Sequence, residues 1–109
     1  MSSVSFFIDH RNENPVGDFL DKNKSIKIKA SIIFKNIIEF GLSSAIPRIK
    51  KLSGLPLWEI RILGKDSARI IYANKVSGQI ILLHAFKKKT NKTPIKEINI
   101  ALNRLKQLS

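Results

Sequence analysis

Cysteine is absent from this chain of 109 residues, and histidine and acidic residues are scarce. Without cysteine there can be no disulfide and no thiolate metal site, and the absence suits a reducing cytoplasm. Two histidines and eight acidic side chains offer little from which to build a zinc site, so we expect neither a metal nor another cofactor. No stretch approaches the roughly 18 consecutive apolar residues that a transmembrane helix needs.

The N-terminal residues also lack the features of a secretory signal peptide. No basic segment precedes their apolar run at positions 4–8, and the run itself is too short. Together with the missing cysteines, this predicts a cytoplasmic protein that has no membrane partner.

Acidic residues are outnumbered by lysine and arginine, 8 to 20, which gives a formal net charge of +12. Residues 60–109 hold eleven basic and two acidic side chains, for +9, whereas residues 1–59 hold nine and six, for +3. Such an excess on a small chain predicts an anionic partner: a nucleic acid, an anionic membrane or an acidic protein. The membrane is the weakest of the three, because the charge lies mainly in strand and loop segments.

The length suits one domain, residues 1–109, whose first half is predicted to hold a strand and two helices. Residues 4–8 have the pattern of a short strand, and Asn14 before Pro15 is typical of a helix start. Ser25 can cap a second helix, which Gly41 is placed to end. The apolar residues of this helix recur at intervals of four and three, at Ile26, Ala30, Ile33, Ile37 and Phe40.

The second half is predicted to begin with a short helical turn and loop at residues 42–56. Strands follow near 57–63, 68–75 and 79–88, and the short links at 64–67 and around Ser77-Gly78 indicate an antiparallel meander. Thr93-Pro94 then starts a C-terminal helix. The predicted fold class is α+β: a small twisted antiparallel sheet with N-terminal helices and a C-terminal helix, all on one face.

Basic side chains collect where the last predicted strand ends. Lys87, Lys88, Lys89 and Lys92 lie within six residues, and a polyanion would relieve their mutual repulsion. Strand alternation puts Arg61 on the face of Glu59 and Leu63, opposite Trp58, Ile60 and Ile62. By the same rule His84 shares a face with Leu82, Phe86 and Lys88. We therefore expect a groove that holds Arg61, Arg69, His84 and the lysines.

Such a groove has the side chains needed to cleave RNA without a metal. The 2′-OH must lose a proton, the pentavalent phosphorane must be stabilised and the 5′-oxygen must gain a proton. Arg61 and Arg69 suit the phosphorane, because a guanidinium binds two phosphate oxygens at once. His84 or one of the clustered lysines suits the proton transfers, and Phe86 or Tyr72 can stack on a base.

Each of these residues also has a structural interpretation. The arginines can be solvated or paired on the sheet, His84 and Tyr72 can be packed in the core, and the lysines can form a solvated face. The sequence alone leaves both interpretations open.

Three segments resemble the phage-derived HigB-type toxins of the RelE/ParE superfamily. They are LSGLPLWEIR at 52–61, ARIIY at 68–72 and LLHAFKKKTNKTP at 82–94. The family pattern is a strand with Leu, Trp, Glu and Arg, a strand with Arg and Tyr, and a strand that ends in His, Phe and two Lys before Thr-Pro. The similarity extends over nearly the whole chain, including Phe6-Phe7 and residues 15–20.

The resemblance implies a RelE-like fold and the toxin of a type II toxin–antitoxin pair. Such a toxin is a metal-independent endoribonuclease that cleaves mRNA in the A site of the ribosome and is held inactive by a helix-turn-helix antitoxin. The resemblance implies that Arg61 and Arg69 bind phosphate and that Lys87 and Lys88 form the basic cluster. It also implies that His84 is an acid–base residue. Lys89, Lys92, Tyr72 and Phe86 are further candidates for binding RNA.

One departure from the family leaves the general base unassigned. Many RelE relatives have a catalytic tyrosine in the C-terminal helix, but this chain has no tyrosine after Tyr72. Two other functions also stay open. The same superfamily contains ParE-like gyrase inhibitors, which share the fold without nuclease activity, and a non-catalytic regulator that binds nucleic acid would need only the basic surface. Fold by itself does not separate them.

Overall fold

A five-stranded sheet and three α-helices form an α+β fold in the part of the chain that the computed structural model describes, residues 2–76 and 78–108. The elements are β1 (Ser3–Phe6), α1 (Pro15–Lys22), α2 (Lys24–Phe40), a 3₁₀ helix (Leu42–Ala45), β2 (Ile49–Lys51), β3 (Trp58–Ile62), β4 (Ala68–Val76), β5 (Gln79–Lys87) and α3 (Ile95–Lys106). The predicted fold class is confirmed. Among these residues no helix has both the length and the apolar character to cross a bilayer.

The sheet is mixed, whereas the sequence analysis predicted an antiparallel one. Its strand order is β1-β5-β4-β3-β2, and β1 runs parallel to β5 while the other neighbours are antiparallel. The strand β2 lies in the stretch that was expected to be only a turn and a loop. It has three residues, two of them exposed lysines, and so gives almost no strand signal.

The helix boundaries follow local chemistry. Asn14 caps α1, since its Oδ1 accepts a hydrogen bond from the Gly17 N–H at 2.9 Å, and Pro15 is the first helical residue. The helix α2 begins one residue before the predicted cap Ser25, whose hydroxyl instead donates to Asp66 at 3.2 Å. Gly41 ends α2 at a φ of 89°, which favours glycine.

Helices cover both faces of the sheet, so the prediction that all of them lie on one face was wrong. The helices α1 and α2 pack on one face through a core that includes Leu20, Ile26 and Ile37. The helix α3 packs on the other face, where Ala101 and Leu83 belong to a second buried core cluster. An apolar stripe in the sequence shows that a helix has a buried side, but it does not show which face of the sheet the helix covers.

A β-bulge changes the direction of side chains in β5. Tyr72 is paired with Leu82 but Ile71 is paired with His84, so Leu83 is an extra residue in the ladder. Leu82 consequently belongs to the core under α1 and α2, whereas His84 contacts α3. The prediction that His84 and Leu82 share a face was therefore wrong. The predicted tight link at Ser77-Gly78 is described only at Gly78, because Ser77 lies outside the described residues.

Candidate functional site

Arg69 is held in a buried ion pair on the face that α3 covers. Its Nη1 lies 2.7 Å from Oε1 of Glu59, and the relative exposures of Arg69 and Glu59 are 5% and 0%. The hydroxyl of Thr93 donates to Oε2 of Glu59 at 2.8 Å, so both oxygens of this carboxylate are occupied. Nη1 of Arg69 is thus committed to a carboxylate that has no access to water, and little of the Arg69 side chain is exposed to a phosphate. The geometry favours a structural role for Arg69.

The side chain of Arg61 contacts the segment before β2, on the side of the sheet away from β5. It is paired directly with Arg69 across β3 and β4, and its Nη2 lies 3.4 Å from the carbonyl oxygen of Pro47. Two strand spacings, roughly 10 Å, separate β3 from β5. Arg61 is also not among the residues that line the pocket around His84, so the predicted groove does not bring the two together.

Tyr72 is packed in the core under α1 and α2. It is 1% exposed, and its ring stacks on Trp58 with centroids 6.0 Å apart and an interplanar angle of 17°. Burial raises the pKa of Tyr72 to about 12. A ring in this position has no open face on which a base could stack, which favours packing as its role.

His84 has hydrogen bonds at both ring nitrogens. Its Nε2 lies 2.7 Å from Oε1 of Glu97, and Arg104 Nη1 lies 3.1 Å from Nδ1. Arginine has only donors, so Nδ1 must accept and the proton of the neutral ring must be on Nε2, which donates to Glu97. Arg104 also donates to the carbonyl oxygen of Leu83 at 2.9 Å and lies over the ring of Phe7. These contacts fix α3 against β5.

The protonation state of His84 follows from its surroundings. Burial has the largest effect and lowers the pKa of His84, the hydrogen bond to Glu97 raises it, and the positive charge of Arg104 lowers it, for a net decrease from 6.5. The imidazole is therefore neutral at neutral pH.

An open cleft of about 460 Å³ lies at the end of β5. It forms because β1 pairs only with Gln79–Leu82 and leaves the rest of β5 without a strand on that side. One wall comes from α1 and another from the start of α3. The lining residues are Phe19, His84, Ala85, Phe86, Lys87, Lys89, Thr90, Pro94 and Glu97.

The cleft brings together four of the residues singled out from the sequence: His84, Phe86, Lys87 and Lys89. The rings of His84 and Phe86 are stacked, with centroids 5.6 Å apart and an interplanar angle of 22°. Lys88 and Lys92 are not among the lining residues. The backbone N–H of Lys88 donates to Ser67 at 3.0 Å, and the carbonyl oxygen of Lys92 accepts from the Thr90 hydroxyl at 2.8 Å.

Sequence reasoning missed Glu97 and Arg104, which surround His84. A signal for Glu97 was present: it is one of two acidic residues in the strongly basic half, and it stands in the first turn of α3, five residues after Lys92. Arg104 follows it by seven residues, which is two helical turns and therefore the same face of α3. Only the contact with β5 reveals that this face meets His84.

A family model described as phage derived protein Gp49-like (DUF891) matches residues 18–106. The match extends from α1 to the last residue of α3 and includes every residue that lines the cleft. A search of curated proteins returned no significant match.

Proposed function

The chain belongs to the phage-derived Gp49-like family, a toxin family of the RelE/HigB type, and from this we propose that it is an endoribonuclease toxin that cleaves mRNA on the ribosome. The family implies an antitoxin as partner, and we propose that this antitoxin is a helix-turn-helix protein. Because ribosomes are the proposed site of action, the toxin would act in the cytoplasm.

The observation that best supports this proposal is the cleft at the end of β5. Its volume of about 460 Å³ falls within the roughly 300–1,000 Å³ that is usual for ligand sites. Single-stranded RNA is commonly bound by aromatic rings that stack on unpaired bases and by cations that contact the phosphates. Phe86 and Phe19 supply the rings, and Lys87 and Lys89 supply the cations.

The lysines of the cleft match two of the three requirements for cleaving RNA without a metal. An ammonium group stabilises the charge that develops on the phosphorane, and it can also give a proton to the 5′-oxygen as the P–O5′ bond breaks. The attacking 2′-oxygen then ends in a 2′,3′-cyclic phosphate and the departing strand begins with a 5′-hydroxyl. In this scheme the buried Arg69 ties β4 to β3, beside the strand β5 that forms the cleft. Lys88 and Lys92, which follow β5 in the chain, attract RNA toward the cleft.

The test is a cleavage assay with purified protein and ribosomes programmed with a defined mRNA, in which primer extension locates the cuts. Wild-type protein should cut the mRNA, and Lys87→Ala combined with Lys89→Ala should slow cutting by about two to three orders of magnitude. Lys75→Ala is the matched control, because Lys75 is an exposed lysine at the far end of β4. It should cut like the wild type.

A parallel assay of DNA gyrase supercoiling separates the two toxin functions. Inhibition of gyrase by wild-type protein that leaves the mRNA intact would overturn the proposal in favour of the gyrase-directed function. Binding of RNA with neither cleavage nor gyrase inhibition would indicate the non-catalytic regulator.

A further inference from the structure

We propose that Glu97 is the general base that removes the proton from the attacking 2′-OH, and that His84 positions it. This inference rests on the proposed ribonuclease function and assigns the one role in the reaction that the sequence left open.

The carboxylate of Glu97 is oriented by a chain of contacts that begins outside the cleft. Arg104 donates to Nδ1 of His84 and so places the ring proton on Nε2, which donates to Oε1 of Glu97 at 2.7 Å. Within residues 2–76 and 78–108, Oε2 of Glu97 has no hydrogen-bond donor. One oxygen is thus held by the protein while the other is available to a substrate.

The exposure of Glu97 fits this role. Its side chain is 20% exposed and lines the cleft beside Lys87 and Lys89. A carboxylate that is partly shielded from water and fixed by a hydrogen bond is oriented in advance of the reaction, which is what proton abstraction from a bound hydroxyl requires.

The other candidate bases either have all their acceptor atoms in hydrogen bonds or have no lone pair that could take a proton. Both nitrogens of His84 already have partners, and both oxygens of the buried Glu59 are bound to Arg69 and Thr93. A lysine ammonium group has no lone pair with which to accept a proton. Among the described residues Glu97 is the only carboxylate that lines the cleft.

The proton and bond changes balance without any further reagent. The 2′-OH gives its proton to Oε2 of Glu97 as the 2′-oxygen forms a bond to phosphorus. The P–O5′ bond breaks, and the 5′-oxygen takes a proton from the ammonium group of Lys87 or Lys89. The products are a 2′,3′-cyclic phosphate and a 5′-hydroxyl, and the two side chains exchange protons with water before the next turnover.

The charged and titratable groups around Glu97 come from β5, from the segment that follows it and from α3. The titratable side chains lining the cleft are His84, Lys87, Lys89 and Glu97 itself, and α1 contributes only the uncharged Phe19. Arg104 stands behind His84 and is in turn influenced by the negative charge of Asp9.

The decisive variant is Glu97→Gln, in which the amide oxygen still accepts from Nε2 of His84 but the base is lost. Single-turnover cleavage of ribosome-bound mRNA should slow by about 10²–10⁴-fold, while co-sedimentation with ribosomes stays as in the wild type. The wild-type rate should rise with pH, and that rise should be absent in Glu97→Gln, which has lost the base. Glu39→Gln, which removes an exposed carboxylate of α2, should behave like the wild type in rate and pH profile.

Glu97→Asp guards against a purely structural effect, because it keeps a carboxylate on a shorter side chain. It should retain part of the activity and the rise of rate with pH. Wild-type protein that cuts mRNA while Glu97→Gln cuts at the same rate with the same pH profile would overturn the assignment of Glu97 and leave the proposed function intact. Wild-type protein that cuts no mRNA would overturn the proposed function itself.

Discussion

Replacing Arg69 with alanine should lower the free energy of unfolding by about 3–5 kcal/mol, because it leaves a buried carboxylate without its counter-ion. Glu59 is fully buried, and its Oε1 lies 2.7 Å from the Arg69 guanidinium. The hydroxyl of Thr93 remains as a donor to Oε2, but it is neutral and cannot replace the lost positive charge. The loss is a large share of the 5–15 kcal/mol by which domains are usually stable.

The same reasoning predicts that removing both charges costs much less. In Glu59→Leu combined with Arg69→Met, apolar side chains of similar length fill the space and no charge is left buried. Such replacements of buried ion pairs are often neutral or stabilising. The double variant should therefore be clearly more stable than Arg69→Ala, although Thr93 loses its acceptor.

Chemical denaturation followed by circular dichroism measures both effects, and the mRNA assay is run on the same preparations. Arg69→Ala with unchanged stability and abolished cleavage would refute the structural role and return Arg69 to the phosphate site that the resemblance implied. A double variant as unstable as Arg69→Ala would show that packing, and not the unpaired charge, explains the loss.

Three further outcomes follow from charge. Binding to ribosomes or RNA should weaken with salt: if about six phosphates are neutralised, log K should fall with log salt at a slope of roughly −4 to −5, and a flat response would argue against a nucleic-acid partner. Because burial, partly offset by Glu97, lowers the pKa of His84 below its usual 6.5, the unfolded chain takes up a proton first on acidification. The contribution of His84 to stability is thus fully present above pH 6.5 and is lost as the pH falls toward the lower pKa of the folded state. Denaturation curves measured across this pH range should no longer show this loss in His84→Gln. The antitoxin should carry an acidic segment that covers the rim of the cleft, so Lys88→Glu with Lys92→Glu should slow its association in stopped-flow mixing, whereas an unchanged rate would place its docking surface elsewhere.

Much of the fold is present in the sequence because it depends on local chemistry. Asn14 and Pro15 define the start of α1, Gly41 defines the end of α2, and the predicted strands agree with β3, β4 and β5 to within one residue at each end. The lysines after β5 were equally visible, since charge density is a property of composition. Strand alternation also predicted correctly that Glu59 and Arg61 do not share a face with the core residues Ile60 and Ile62 of β3.

The site was only partly predictable, because its chemistry depends on contacts between segments that are far apart in the chain. The parallel pairing of β1 with β5 ends at Leu82 and so leaves the edge where the cleft opens. The bulge at Leu83 turns His84 toward α3, and no local pattern marks it.

The sequence by itself determined the net charge, the three α-helices, the strands β1, β3, β4 and β5 and the basic end of β5, because these follow from neighbouring residues. Tertiary structure alone decided which of the chemically suitable residues are buried and which line the cleft. Arg69 and Tyr72 have the right side chains but are buried, whereas Glu97, which the motifs did not single out, is presented in the cleft by His84. The physical reason is that burial and hydrogen bonding across the sheet are set by packing, which no single segment encodes.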